Sequence, residues 1–211
     1  MINDTKYIQG LIAKGEHQEQ DFKFEISEVR KIAKTLSAFA NTTGGRLLVG
    51  VKDNGKIAGI RSDEELHMVA SAAQLYCTPE IAFTTHVHKV EGKTVLEVVI
   101  AQGVHKPYYA LDFDNKRRAY LRIGDQNILA SAVHLRVWQM ESKERGALVK
   151  YSKQEQLLLD YLNKNQSISI SQYAKIAAIS RPKAIDTLAK FVRFNITAPL
   201  YTDEGFVYAL V

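Results

Sequence analysis

Three adjacent cations, Lys116-Arg117-Arg118, lie between two short predicted strands, and Arg122 follows on the second of them. Three tyrosines are close in sequence: Tyr108, Tyr109 and Tyr120. Cationic side chains neutralise phosphates and aromatic rings stack on bases, so this loop is a candidate nucleic-acid contact. Asp112 and Asp114 precede the cations and could neutralise them instead, which would leave a solvated hairpin.

A second cluster of positive charge runs from Arg181 to Arg193. Ser180 is a good helix cap, so Arg181 and Lys183 fall in the first turn of a predicted helix, with Lys190 farther along. In helix-turn-helix proteins the start of the second helix contacts base edges, which makes these cations candidate DNA contacts. The hairpin predicted after this helix has Asp203-Glu204 at its tip, where phosphate-contacting wings prefer Lys or Arg. Domains of this kind also dock proteins.

Alternation over 20–25 predicts a strand with Asp21 and Lys23 on one face and two phenylalanines on the other. Lys23 could contact a phosphate. Alternatively, it pairs with Asp21 on a solvated face.

These residues are positioned by a predicted α+β domain over 1–146. Apolar periodicity predicts helices over 5–14, 27–40, 63–76 and 130–145. Strands are predicted over 20–25, 47–51, 56–60, 81–89, 93–100, 108–111 and 118–123, with a tight turn at Asp53-Asn54-Gly55. We therefore expect a mixed, largely antiparallel sheet with flanking helices.

The composition changes after residue 146, and 147–152 is a predicted linker. Helices are predicted over 154–162, 167–176 and 180–191, followed by a hairpin of 198–201 with 206–210. Three helices and a two-stranded hairpin are typical of a small winged-helix domain, here 153–211.

The 211 residues are 46% hydrophobic and 24% charged, as in ordinary globular proteins. A net charge of +5 and a pI of about 9.1 allow nucleic-acid binding without requiring it. The sequence has no apolar run long enough for a membrane span, and its start lacks the apolar run of a signal peptide. A single cysteine, Cys77, excludes an internal disulfide and fits a reducing compartment, so we expect a cytoplasmic protein without membrane association.

Four segments share the order and spacing of a known family. They are Glu16 to Asp21-Phe22-Lys23, Ser37-Ala-Phe-Ala-Asn-Thr-Thr-Gly-Gly45, Leu47-Leu-Val-Gly-Val-Lys-Asp53 and Ala119-Tyr-Leu-Arg122-Ile-Gly124. On these segments the first domain resembles the Schlafen AlbA-like family, which is often catalogued as DNA-binding. The family usually has small hydroxyl residues after Arg-x-Gly, whereas this chain has Asp125-Gln-Asn127, which puts any phosphate contact by those hydroxyls in doubt.

The resemblance implies a second chemistry for Glu16, Asp21 and Asp53, which match the acidic positions of RNA-cleaving family members. Carboxylates of this kind hold Mg²⁺ or Mn²⁺, which polarises phosphate and activates water. The alternative is structural: Asp21 pairs with Lys23, and Asp53 forms a hairpin turn.

The Gly44-Gly45 turn permits close backbone approach, which suits phosphate or, as we expect, tight packing. The sequence contains no Gly-x-x-x-x-Gly-Lys-Ser/Thr motif, so the ATP-binding label that some relatives carry has no physical support here.

We therefore predict a nucleic-acid-binding protein, acting on DNA or RNA and plausibly a DNA-binding transcriptional regulator that needs no cofactor to bind. The nucleic-acid contacts are predicted at Lys23, Lys116, Arg117, Arg118, Arg122, Arg181, Lys183, Lys190 and Arg193. The alternative is a metal-dependent RNase using Glu16, Asp21 and Asp53. A third possibility is an interaction module whose tail makes a homo-oligomer.

Overall fold

The computed structural model describes residues 4–142 and 152–211 and divides the chain into two compact units, unit 1 up to Ala130 and unit 2 from Ser131. Unit 1 contains α1 (Asp4–Ile12), β1 (Gln20–Lys23), α2 (Val29–Asn41), β2 (Gly45–Val49), α3 (Glu64–Leu75), β3 (Cys77–Thr78), β4 (Phe83–Val90), β5 (Lys93–Ile100), β6 (Tyr109–Leu111), β7 (Arg117–Ile123) and β8 (Gln126–Leu129). Unit 2 contains α4 (Ala132–Glu141), α5 (Lys153–Leu162), α6 (Ile170–Ile176), α7 (Arg181–Arg193), β9 (Thr197–Thr202) and β10 (Gly205–Leu210). No helix in the described ranges is long and apolar enough to cross a membrane.

The strands of unit 1 form two four-stranded sheets, in the orders β1-β2-β5-β4 and β3-β6-β7-β8. Only the pairing of β1 with β2 is parallel among the strand pairs of the described residues, so the α+β prediction with largely antiparallel pairing is confirmed. The expectation of a single sheet is wrong, because the chain divides its strands between two.

The core of unit 1 is built around α2, whose residues from Ile32 onward are almost all buried. It contacts α3, β6 and β7, and its apolar side chains share a cluster with Leu47, Leu96 and Val98 of the first sheet. The opposite face of that sheet packs through Phe22 and Leu48 against α1. Each side of the first sheet is thus covered, which explains why its strands carry so few exposed apolar residues.

The predicted strand 56–60 is not regular in the structure. Its pairing with the strand before the turn is reduced to one bridge, Val51 with Ile57. Gly50 and Gly59 take positive φ values of 94° and 84°, and the amides of Ala58 and Gly59 both donate to the carbonyl of Gly50. A positive φ interrupts an extended strand, so the ladder ends there.

Unit 2 begins earlier than the predicted boundary at residue 146. Helix α4, which the sequence analysis placed in the first domain, packs on α7, and Val133 and Val137 enter the core of unit 2. The three later helices and the hairpin occur where they were predicted, and serines cap all three helices: Ser152, Ser169 and Ser180. The predicted linker lies almost entirely outside the described residues, as does the last part of the predicted helix 130–145.

Candidate nucleic-acid interface and a buried carboxylate cluster

The loop before β1 brings Glu16 against Asp21. Glu16 Oε1 accepts a hydrogen bond of 2.8 Å from the Phe22 amide, which holds the side chain beside the strand. Burial, and after it a hydrogen bond with the Asp21 carboxyl, raise the pKa of Glu16 above its ordinary value. The negative charge of Asp21 nearby also disfavours the ionised form of Glu16.

Asp21 is 4% exposed and faces two cations. Its Oδ1 accepts a hydrogen bond of 3.3 Å from Arg122 Nη2. Its Oδ2 lies 2.9 Å from Lys23 Nζ in an ion pair without hydrogen-bond alignment, and the same ammonium donates to the Phe22 carbonyl at 2.7 Å. The predicted alternative of an Asp21–Lys23 pair is therefore present, on a face that is buried at Asp21.

Arg122 is the largest fully buried side chain among the described residues, at 2% exposure. It donates to the carbonyls of His17 and Gln20 at 3.3 and 2.9 Å, to Asn127 Oδ1 at 3.1 Å and to Asp21. Its guanidinium also lies 5.3 Å from the centre of the Phe39 ring. The prediction that Arg122 contacts phosphate is wrong for the folded domain, because its donors are turned inward and occupied.

Asp53 does not join the other two carboxylates in a cluster. It lies in the exposed turn after Val51, where the Lys52 amide donates to the Lys56 carbonyl. No group of three His, Cys, Asp or Glu side chains in the described part of the chain could hold a metal ion. Because Asp21 already faces Arg122 and Lys23, and Asp53 lies in a separate turn, these three residues do not fit a divalent-ion site.

Two polar side chains of the 37–45 segment form hydrogen bonds with the backbone of the second sheet. Asn41 Nδ2 donates to the carbonyls of Tyr108 and Tyr120 at 2.8 and 3.0 Å, and its Oδ1 accepts from the Tyr108 amide at 2.8 Å. Ser37 Oγ donates to the same Tyr108 carbonyl at 2.8 Å and accepts from the Tyr120 amide at 3.2 Å. This segment therefore anchors β7 and the start of β6 on α2.

Asn127 has a related role where the family usually has a hydroxyl residue. Besides accepting from Arg122, it donates through Nδ2 to Thr35 Oγ1 at 2.9 Å. Its amide thus bridges α2 and β7, and both of its polar atoms have partners inside the unit.

The two glycines of the 37–45 segment are required by packing. Gly44 has φ +81°, and a Cβ there would lie 2.6 Å from the Ile100 carbonyl oxygen. A Cβ on Gly45 would lie 2.5 Å from the Phe39 ring. Both distances are too short for any side chain, which supports the expected packing role over a phosphate site.

The β6–β7 hairpin holds the predicted basic loop, and two aspartates neutralise part of it. Arg118 donates to Asp112 at 2.6 Å and to both oxygens of Asp114 at 2.8 and 2.7 Å. The hydrogen bonds from Arg118 lower the pKa of Asp114 to about 2. Lys116 also lies 3.5 Å from Asp114, whereas the Arg117 side chain is exposed and makes no hydrogen bond or ion pair with the described residues.

Sequence reasoning missed two cations of α2 that adjoin this hairpin. Arg30 donates to the carbonyls of Asp112 and Phe113, both at 3.0 Å, and its guanidinium lies 5.9 Å from the Phe113 ring centre. Lys34 lies 4.6 Å from the ring centre of Tyr120, a buried residue that cannot stack on a base. Their four-residue spacing, outside the apolar stripe of the helix, was a usable signal.

The cations of α7 differ in solvent exposure and in their side-chain partners. Arg181 and Lys183 are exposed in the first turn, where Arg181 Nη1 donates to Ser171 Oγ at 3.2 Å. Lys190 is 20% exposed and pairs with Glu155 at 2.8 Å, which ties α7 to α5. Its nucleic-acid contact stays a prediction. Arg193 is partly exposed in the last turn.

The fold and these sites together define an α+β domain whose central helix fixes two sheets and whose β6–β7 hairpin is basic. The family model described as Schlafen, AlbA_2 matches residues 16–131, more than half of the chain, so the chain belongs to the Schlafen AlbA_2 family. A comparison with curated proteins gave no match.

Two solved structures are similar. The DIP2311 protein from Corynebacterium diphtheriae is 18% identical with a TM-score of 0.47; the match covers 71% of this chain and 35% of that one, so the chain spans about a third of its length. The N-terminal domain of a protein from Nitrosomonas europaea, named as a possible relative of the ATP-dependent DNA helicase RecG, is 23% identical with a TM-score of 0.45. That match covers 72% of this chain and 98% of that domain.

Proposed function

We propose that the chain binds nucleic acid and that unit 1 does so through a basic patch made of Arg30, Lys34, Lys116, Arg117 and Arg118. The patch contains five cations and two carboxylates, Asp112 and Asp114, which leaves a formal charge of +3 at one hairpin and the adjoining helix. Only Lys116 and Arg118 pair with the carboxylates. An excess of positive charge in one place supports phosphate binding more than the modest net charge of the chain does.

An exposed aromatic ring accompanies these charges. Phe113 is 56% exposed at the tip of the hairpin, with the guanidinium of Arg30 beside its ring. A ring in this position can stack on an unpaired base while the neighbouring cations hold the backbone. This pairing of ring and charge is the single observation that carries the proposal for unit 1.

The finer proposal, a DNA-binding transcriptional regulator, depends on unit 2 acting as a winged helix. The order of three capped helices and a hairpin supports it, as do the exposed Arg181 and Lys183 in the first turn of α7. In this proposal α7 enters the major groove. The tip of the hairpin, with Asp203 and Glu204, lies away from phosphate because its charge would repel it.

Fluorescence anisotropy with labelled single-stranded RNA and duplex DNA, over a series of salt concentrations, tests both proposals. We expect Arg117→Ala to weaken binding and to reduce the salt slope by about 1. The matched control is Lys56→Ala, an exposed cation in the turn after Val51, which should leave affinity unchanged. Absence of binding at low salt, or an equal loss in the control, would refute the patch.

For unit 2 the corresponding variants are Arg181→Ala and Lys183→Ala, with Lys164→Ala as the exposed control. Loss of duplex affinity in the first two alone supports the winged-helix proposal. If only RNA binding responds to Arg117→Ala and duplex binding responds to neither α7 variant, the regulator proposal fails while nucleic-acid binding stands.

A metal-dependent RNase is the second candidate, favoured by the contact of Glu16 with Asp21 and disfavoured by the position of Asp53. Structured RNA incubated with Mg²⁺, Mn²⁺ or EDTA and run on a denaturing gel decides it. Metal-dependent cleavage that Asp21→Asn abolishes would establish the nuclease and displace the binding proposal.

A further inference from the structure

The tip of the β6–β7 hairpin is fixed by hydrogen bonds of its own. Asp112 Oδ1 accepts from the Phe113 amide at 2.8 Å, and the Asp112 carbonyl accepts from the Asn115 amide at 2.9 Å. Asp114 Oδ1 accepts from the Lys116 amide at 3.2 Å. Asn115 takes φ +59°, a conformation that asparagine tolerates better than most residues do. The backbone on both sides of Phe113 is therefore ordered before any ligand binds, which lowers the entropy cost of binding there.

Arg30 ties this tip to helix α2. Its Nη1 donates to the carbonyls of Asp112 and Phe113, both at 3.0 Å, and its Nη2 donates to Asn115 Oδ1 at 3.1 Å. The guanidinium carbon lies 5.7 Å from the ring centre of Tyr76 and 5.9 Å from that of Phe113. These contacts need the planar fork of arginine, because an ammonium is a single point charge. Arg30 thus positions the Phe113 ring in addition to supplying a positive charge.

Phe113 remains 56% exposed at this ordered tip. Turns usually contain Gly, Asn, Asp or Ser, and an exposed ring stabilises the fold little, because it stays in contact with water. A fixed ring among cations suits a flat apolar group on a phosphate chain, since the ring contacts the group while Lys116 and Arg117 attract the phosphates. An unpaired nucleotide has this chemistry. In a duplex, neighbouring bases cover both faces of each base, so the ring can stack only if a base is flipped out.

We infer that the β6–β7 hairpin selects nucleic-acid strands with unpaired bases, with Phe113 as the stacking residue and Arg30 as its positioning residue. This specificity rests on the proposed nucleic-acid binding of the basic patch and goes further. Phosphate contacts by themselves favour a duplex, whose charge density is higher, so selection of a single strand requires the ring. RNA and DNA strands share the chemistry of an unpaired base, and both belong in the test.

Fluorescence anisotropy of the full chain is the measurement, with an RNA strand, a DNA strand, the same DNA strand without its bases, and a duplex. We expect Phe113→Leu to weaken binding of the two base-containing strands by about tenfold and to leave the abasic strand and the duplex unchanged. The matched control, Val87→Ala, alters an apolar side chain of similar exposure, 58%, outside the patch and should bind as the wild type does. Each variant is compared with the wild type on the same probe, so binding by unit 2 cancels.

Two further variants separate position from charge. Arg30→Lys keeps the charge, so the salt slope and the affinity for the abasic strand should not change, whereas the base-containing strands should bind about threefold more weakly. Phe113→Trp should bind like the wild type. Its added fluorescence should be quenched by the base-containing strands and not by the abasic strand.

The outcomes distinguish this specificity from the basic patch itself. Phe113→Leu that weakens no probe, or that weakens the abasic strand as much as the others, would overturn the inference. The basic patch then stands if Arg117→Ala still weakens binding of the single strands. Absence of binding of every probe at low salt would refute the patch and the inference together.

Discussion

Arg122 and Asp21 show how a charged residue becomes part of a core. Arg122 makes four hydrogen bonds, and one of them is to an aspartate that is itself buried. Removing Arg122 would leave the buried Asp21 charge with only the partly exposed Lys23, and such a loss costs more than the pair contributes by itself.

Replacing Arg122 by Met should therefore destabilise unit 1 by about 3–5 kcal/mol, since Asp21 and two carbonyls lose their donor. Arg117→Met on the same strand is the control and should change the free energy of unfolding by less than about 0.5 kcal/mol. Urea denaturation followed by circular dichroism measures both. Equal effects in the two variants would contradict a structural role for Arg122.

Glu16 gives a prediction about pH. Its pKa is raised in the folded state, so the folded protein holds that proton to higher pH than the unfolded chain does, and the associated stability is lost as pH rises through the folded pKa. Glu16→Gln keeps an oxygen acceptor for the Phe22 amide and removes the charge. We expect its gain in melting temperature over wild type to be larger at pH 7 than at pH 4. A gain that does not vary with pH would show that Glu16 and Asp21 do not interact.

The burial of Arg122 could not be predicted from the sequence, whereas its strand could. Alternation places Tyr120 and Arg122 on one face of β7, and an arginine in a short strand beside other cations usually faces solvent. What buries it are His17, Gln20 and Asp21, about a hundred residues earlier in the chain. Local patterns contain no information on such a distant partner.

At the scale of elements, helix α4 shows that local sequence patterns predict a helix but do not show which unit it packs in. Its apolar positions and its cap, Ser131, are visible in the sequence, so the helix itself was predicted. Which unit receives its apolar face depends on α7, some fifty residues later. The strand predicted over 56–60 is irregular for a more local reason, the positive φ of Gly50 and Gly59.

Near the start of α4, His134 should make unit 2 sensitive to acid. Burial lowers its pKa from 6.5 to about 4, and its ring packs 4.7 Å from that of Phe206. Below pH 6.5, His134 binds a proton in the unfolded chain but stays neutral in the folded unit. The free energy of unfolding therefore falls as pH drops toward 4, by up to about 3 kcal/mol.

His134→Phe should remove this loss between pH 6.5 and 4, since a phenylalanine can occupy the same aromatic contact without titrating. Thermal melts across that range measure it, with the exposed His105→Gln as the control. If wild type and His134→Phe lose stability in parallel, the acid sensitivity has another source.

At the scale of the whole molecule, the chain consists of two units, each with its own apolar core. A change of composition was enough to predict two parts. The position of the boundary was not predictable in the same way, because α4 is compatible with either part until its packing partner is known.

Fragments test this boundary. We expect residues 131–211 to unfold cooperatively, and residues 147–211 to be much less stable, since Val133 and Val137 each contribute about 1.5–3 kcal/mol through burial. The ion pair of Arg136 with Asp186, at 2.6 Å, is lost as well. Equal melting temperatures for the two fragments would place α4 outside the core of unit 2.

The inward-facing Arg122 also bears on how the chain folds during synthesis. Its partners in and before β1 leave the ribosome about a hundred residues before it does. Until β7 emerges, Asp21 has Lys23 but no guanidinium, so burying it in the first sheet carries an electrostatic cost that Arg122 later offsets. We therefore expect the N-terminal strands to stay hydrated and incompletely packed until Arg122 is available. A ribosome-bound chain arrested before Arg122 should be far more sensitive to protease than one arrested after β8 has emerged.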